Sequence, residues 1–139
     1  MHIHKTTIRV RYADTDQMKF VYNGKYLEYF EIGRTEMMRA LGLPYKVIED
    51  NGFLMPLIES HLEYKKSAYY DELLEIETRV ENLPVARVHL NYTIRKVETL
   101  EIVVKGYTDL VFVKSDTKKI TRAPLFFLDK FKPIFDKKD

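Results

Sequence analysis

Asp14, Thr15 and Asp16 stand where strand-like sequence gives way to helix-forming sequence, and no other segment of this chain is better placed for chemistry. Asp and Thr side chains bond readily to nearby backbone, so the stretch ADTDQMKF reads as a loop that ends a strand and leads into a helix. The first N–H groups of a helix have no partner within it, and a partial positive charge collects there. A carboxylate held beside such donors could activate water or attack an acyl carbon while the N–H groups hold the oxyanion. Taken alone, the same three residues are more often no more than caps and turns of the chain. On spacing alone both readings stay open.

The other reactive residue types make weaker patterns. The chain has no Cys, which removes thiolate nucleophiles, disulfides and thiolate metal sites together and fits a reducing compartment. His2 and His4 share a strand face at i, i+2 spacing, but on an N-terminus expected to be flexible and without a matching carboxylate they suggest adventitious binding, and no metal is expected. Asp14 and Asp16 as a magnesium pair would need a phosphate-binding glycine loop or a third carboxylate, and the sequence has neither. His61 and His89 fall on predicted strands, where they read as packing residues with satisfied ring nitrogens. No Ser lies in a nucleophile-elbow sequence, so a Ser-His-Asp triad is not expected. Arg34 with Glu31 reads as a helix-surface pair, and Lys5, Arg9 and Arg11 as a solvated strand face.

The elements that would position these groups follow from periodicity. Residues 6–12, TIRVRY with its leading Thr, alternate so that Ile8, Val10 and Tyr12 face away from Arg9 and Arg11, the pattern of a half-buried strand. Over residues 22–41 apolar groups recur at three- and four-residue steps, which predicts one long amphipathic helix closed by Gly42. Gly33 lies inside that helix at a cost of about 1 kcal/mol against Ala, which suggests close packing there. Residues 44–50 suit two helical turns, with Pro44 at the first helical position. Residues 54–64, 72–82, 86–97 and 101–114 are strand-like, and their short connections predict antiparallel hairpins. A short strand near Ile120 and a terminal helix or apolar tail over 124–135 complete the chain.

The predicted fold class is therefore α+β, an antiparallel sheet of five or six strands wrapped around one long central helix, in a single domain over residues 1–139. A sheet covered by one helix leaves apolar surface for a second copy, so a homodimer or homotetramer is expected. Lys and Arg total 23 against 21 Asp and Glu, and this interspersed near-balance carries no nucleic-acid footprint. No stretch approaches the roughly 18 apolar residues of a membrane span and no signal peptide is recognisable, which points to the cytoplasm.

The run Arg11-Tyr12-Ala13-Asp14-Thr15-Asp16-Gln17-Met18, then Val21-Tyr22, Tyr26-Leu27, Phe30-Glu31 and Arg34, resembles a known pattern, Y-x-D-T-D-x-x-G-x-V-Y-x-x-x-Y-L-x-x-F-E-x-x-R. It is the entry motif of the hotdog-fold acyl-CoA thioesterases of the 4-hydroxybenzoyl-CoA thioesterase type, including the bacterial Tol-Pal-associated branch. The resemblance implies hydrolysis of an acyl-CoA to a carboxylic acid and free coenzyme A, without metal or redox cofactor. It assigns Asp16 as nucleophile or general base, polarisation of the thioester carbonyl to the backbone N–H of Asn23 or Tyr22, and an ordering role to Asp14. Tyr26, Tyr29 and Phe30 are core or interface residues first and acyl-pocket walls second. Arg87, Arg95 and Lys96 could meet the nucleotide phosphates. The family glycine is Lys19 here, a costly replacement if that position needs positive φ. An acyl-carrier-protein thioesterase and a non-catalytic acyl-thioester binding module are the competing readings.

Overall fold

A computed structural model describes residues 1–136. Five long strands, β1 (His2–Arg9), β3 (Leu57–Tyr64), β4 (Leu73–Val80), β5 (Arg87–Lys96) and β6 (Ile102–Lys114), form one antiparallel sheet. Two-residue strands β2 (Phe53–Leu54) and β7 (Ile120–Thr121) extend it along β6, for seven in all. The order across the long strands is β1-β4-β5-β6-β3.

Helix α1 (Lys25–Ala40) lies in the concave face with Tyr26, Tyr29, Phe30, Gly33, Met37 and Met38 buried. Phe30 stacks on Tyr92 of β5 with ring centroids 4.2 Å apart and planes within 6°. Gly33 is the close-packing point the sequence suggested, because a Cβ there would stand 2.6 Å from Ile76 Cγ2 and 2.7 Å from Thr78 Oγ1. The helix closes as its sequence predicts. Gly42 takes φ +77° and donates to the Arg39 carbonyl, and Leu43 donates to that of Met38, a Schellman arrangement that buries Leu43. Helix α2 (Tyr45–Asp50) follows, with Pro44 as its N-cap residue, one position earlier than expected. Residues 125–135 form a true helix, α3 (Leu125–Phe135), with Phe127, Leu128 and Phe131 buried.

Three expectations change. The first strand begins at His2 and stops at Arg9; Val10 is buried, but Tyr12 enters a 3-10 turn (Tyr12–Asp14) and is 78% exposed. The N-terminus is not loose, because α3 covers it: the His2 ring meets the Phe131 ring edge-on at 6.3 Å. And β3 and β4 do not form a hairpin. β1 occupies the place beside β4, in register from His2↔Val80 to Arg9↔Leu73, so the chain crosses from one side of the sheet to the other after Tyr64. That crossover rests on the loop before α1, through the Val21 N–H on the Ala68 carbonyl at 2.9 Å and an antiparallel bridge between Phe20 and Tyr69. No helix of the described residues is long and apolar enough to cross a membrane.

Candidate active site

Residues 15–21 form a tight hairpin ahead of α1. Thr15 and Val21 pair antiparallel, Asp16 N–H donates to the Phe20 carbonyl at 3.0 Å, and Lys19 N–H returns to the Asp16 carbonyl at 2.9 Å. This is a three-residue loop whose last position must be left-handed, the place where glycine is usual. Lys19 occupies it with φ +70°. The motif glycine therefore has a conformational reason, and Lys19 keeps the same backbone path against a steric cost. Lys19→Gly is expected to stabilise the chain by about 1–2 kcal/mol, read as an upward shift in Tm. A Tm unchanged by the replacement would mean that the lysine side chain makes an offsetting contact.

Asp16 stands at the first position of this turn, half-buried, and its Oδ1 accepts the Met18 N–H at 2.8 Å. That bond is the turn-forming role Asp favours. It uses one carboxylate oxygen; among the described residues Oδ2 has no hydrogen-bond partner.

Asp14 does different work. Its side chain is buried and accepts the Arg11 N–H at 3.1 Å, the Tyr29 hydroxyl at 2.8 Å and an Arg11 guanidinium N–H at 3.2 Å, with Lys25 Nζ 3.6 Å away. Burial alone would raise its pKa, but the Arg11 and Tyr29 donors hold the carboxyl below its ordinary value, and the Tyr29 bond makes Asp14 the fastener of the loop to α1. Burial also pushes the Tyr29 phenol well up, reinforced by its bond to Asp14, and raises Tyr26 to about 12, so both stay protonated donors.

A depressed carboxyl stabilises the fold above its unfolded pKa and loses that contribution as pH falls through the folded value. Asp14→Asn is therefore expected to cost about 1.5–3 kcal/mol near pH 7, the scale of hydrogen bonds to a charged group. The gap in Tm from wild type should shrink as pH drops below the ordinary carboxyl value of 3.8. A gap constant from pH 7 to pH 2 would show that the loss is one of shape and not of charge.

The two backbone donors expected at the helix start separate cleanly. Tyr22 N–H is spent on the Asp14 carbonyl at 3.0 Å, so its assignment as an oxyanion donor is corrected: hairpin pairing consumes it. Asn23 N–H has no acceptor among the described residues. Asn23 follows Tyr22 in a turn closed by Lys25 N–H on the Tyr22 carbonyl at 2.9 Å, and Gly24, at φ −68° and ψ −18°, then begins α1. The helix starts at Lys25 and not at Tyr22 because residues 21 and 22 are held by the hairpin. A groove of about 400 Å³ opens here between Phe20, Val21, Asn23, Tyr26 and the end of β3 with the chain that follows it, residues 64–67. Tyr64 hydroxyl reaches the Asn23 carbonyl at 3.4 Å.

A second cavity of about 400 Å³ lies further along α1, between Glu31, Arg34, Thr35 and Met38 and the side chains of Tyr45, Met55 and Leu110. Arg34 makes no ion pair with Glu31, contrary to expectation. Its guanidinium instead donates to the Tyr92 hydroxyl at 3.2 Å, which also bonds Thr108 Oγ1 at 2.7 Å, because the concave sheet offers a buried phenol where the helix surface offers only solvent.

The remaining candidates fall outside this region. Arg87 pairs with Asp109 at 3.4 Å, Arg95 with Glu77 at 3.5 Å and Lys96 with Glu72 at 3.2 Å, so these cations are engaged by carboxylates. Arg87 and Arg95 lie on the sheet face opposite α1, as their alternation with buried Val88, Leu90, Tyr92 and Ile94 requires. His61 and His89 share that outer face. His89 Nδ1 lies 2.6 Å from Asp109 Oδ1, and both rings pack on Tyr107, at the surface and not in the core. Among the described residues no three His, Asp or Glu side chains gather as a metal site. Tyr64, Lys65 and Lys66 were missed from sequence; the only signal was a Lys-Lys-Ser break in the strand pattern.

Comparison with known proteins bears on the family and the fold. A family model described as "Thioesterase-like superfamily" matches residues 10–131. YneP of Bacillus subtilis (strain 168), provisionally named an acyl-CoA thioesterase, is 42% identical over 82 residues, 59% of this chain and 59% of YneP. The acyl-CoA thioesterase YbgC of Haemophilus influenzae is 33% identical over 82 residues, 58% of this chain and 60% of YbgC. These alignments thus span less than two thirds of either relative. The crystal structure of a DHNA-CoA thioesterase from Staphylococcus aureus superposes with a TM-score of 0.90 at 31% identity, over 98% of this chain and 93% of that one. With the family model matched from the end of β1 into α3, the chain belongs to the thioesterase-like superfamily and has its hotdog fold.

Proposed function

We propose that this protein is an acyl-CoA thioesterase of the 4-hydroxybenzoyl-CoA type, hydrolysing a thioester to a carboxylic acid and free coenzyme A in the cytoplasm. The observation that carries the proposal is that the short segment between β1 and α1 presents both an uncommitted Asp16 oxygen, in the hairpin turn, and an uncommitted Asn23 N–H, just past the hairpin. Asp16 serves as general base toward water or attacks the acyl carbon itself, and Asn23 N–H holds the oxyanion. The thiolate of coenzyme A leaves without a strong acid, which suits a site holding one such carboxylate. The motif around Asp16 supports a place in the Tol-Pal-associated branch.

The working unit is a homodimer or a homotetramer. Strand β3 is paired with β6 on one side, while its other edge and the side chains of Leu57 and Ile58 are exposed, an arrangement that favours strand pairing with a second copy. The test is thiol release from short, long and aromatic acyl-CoAs, with DHNA-CoA included because the S. aureus relative carries that name. Turnover of at least one substrate supports the proposal. Tight binding of coenzyme A with no turnover of any of them rejects it in favour of a binding module. The strained Lys19 motivates that second reading, and a large gain in turnover from Lys19→Gly would support a degraded site.

A further inference from the structure

We propose that Lys65 and Lys66, with Lys105 beyond them, anchor the phosphates of the adenine-nucleotide half of coenzyme A. The inference rests on the thioesterase reading and adds the residues that tell coenzyme A from a shorter thiol.

The argument begins with the backbone. Successive residues of a strand point to opposite faces, so Lys65 and Lys66 should diverge. They do not, because both N–H groups donate to one carbonyl, that of Val103, at 2.8 and 3.1 Å. Two residues on one strand thus oppose one on its neighbour, the pattern of a β-bulge, which re-aims side chains and is frequent beside active sites. Both lysines consequently line the groove that contains Asn23. Both also line a broader groove of about 700 Å³ that continues past Glu63, Leu100, Glu101 and Ile102 to Lys105. The two grooves meet at the lysine pair, so a chain leaving the proposed oxyanion donor runs between ammonium groups before reaching the open surface.

The charges there are available. Lys65 meets Glu63 at 3.7 Å and Lys66 meets Glu101 at 3.4 Å, all roughly half exposed, and pairs of that kind contribute about 0–1 kcal/mol. Lys105 has no ion pair among the described residues. A phosphate carrying more than one charge would displace either glutamate contact at little cost. Next to the cations, Leu100 is 71% exposed and held at φ +66°, and with Ile102 it gives an apolar ledge. Phosphate-binding cations beside a small exposed apolar surface match a nucleotide, with anionic phosphates on the first and a flat base on the second. Arg87, Arg95 and Lys96 line neither groove and so do not compete for this role.

The experiment compares one acyl group carried on coenzyme A and on N-acetylcysteamine, which lacks the nucleotide, in wild type and in the double variant Lys65→Glu/Lys66→Glu. The ratio of kcat/KM for the two carriers is expected to fall about tenfold or more in the variant, with the loss in KM for the acyl-CoA. Lys46→Glu/Lys130→Glu, at two positions that line neither groove, makes the same change in net charge and should leave the ratio alone. Calorimetric titration with adenosine 3′,5′-bisphosphate supplies a readout independent of turnover: wild type binds, and the double variant binds at least about tenfold more weakly. If wild type hydrolyses neither carrier yet binds the nucleotide through the lysines, the thioesterase reading fails and the anchor stands. If the ratio moves less than twofold, or the nucleotide binds both proteins alike or neither, the anchor is overturned.

Discussion

Asp16→Asn is expected to lower kcat/KM for the preferred acyl-CoA by about 10²-fold or more while leaving the thermal unfolding of the chain nearly unchanged. The asparagine keeps the side-chain oxygen that accepts the Met18 N–H, so the turn survives and only the base or nucleophile is lost. The contrast with Asp14 is built into the two environments. Asp14 is buried under four donor groups and its replacement shows in Tm, whereas Asp16 is half-buried with one oxygen spent, and its replacement should show in rate. If Asp16→Asn retained more than a tenth of wild-type activity, the turn would be the residue's whole purpose and the chemistry would lie elsewhere. Single turnovers in ¹⁸O-water extend the test: label found in Asp16 itself marks an acyl-aspartyl anhydride opened by water at the aspartyl carbon. Label found only in the released acid agrees with Asp16 acting as base.

The parts of this site that could be read in the sequence are those set by local physics. Alternation gave the long strands, the spacing of Tyr26, Phe30, Met37 and Leu41 gave α1, and Gly42 marked its end, because each depends on neighbours within a few residues. What was misread depends on partners far along the chain. Tyr12 continues a period-2 pattern yet leaves the strand, since Asp14 folds the next residues into a 3-10 turn fastened to Tyr29. The supposed β3–β4 hairpin is a crossover because β1, some 70 residues earlier in sequence, has taken the place beside β4. The basic residues that sequence suggests for the nucleotide lie on strands, and strand alternation sends Arg87 and Arg95 to the outer face. Lys65 and Lys66 come to the groove only through a bulge opposite Val103, a pairing that no local pattern announces. Lys19 lies between these cases: its departure from the motif was visible, but the left-handed turn that explains the usual glycine needed the hairpin bonds to be seen.

Asn23→Pro is expected to reduce kcat by about 10²–10³-fold, the range for losing one oxyanion donor. Proline removes the one group the proposal requires at this position, the backbone N–H. The substitution is otherwise well matched to its surroundings: Asn23 is the second residue of the turn closed by Lys25 N–H on the Tyr22 carbonyl, a position where proline is favoured. No hydrogen bond of the fold is lost, since Asn23 N–H donates to no acceptor among the described residues, and Tyr22, whose conformation a following proline restricts, is already held beside the paired Val21. Thermal unfolding and circular dichroism should therefore stay close to wild type while turnover collapses. The companion Asn23→Ala, which keeps the N–H and removes only the side chain, should lose far less than the proline variant. Equal losses in the two would place the effect in the asparagine side chain, and retention of activity in Asn23→Pro would move the oxyanion donor to Gly24, the next backbone amide at the mouth of α1.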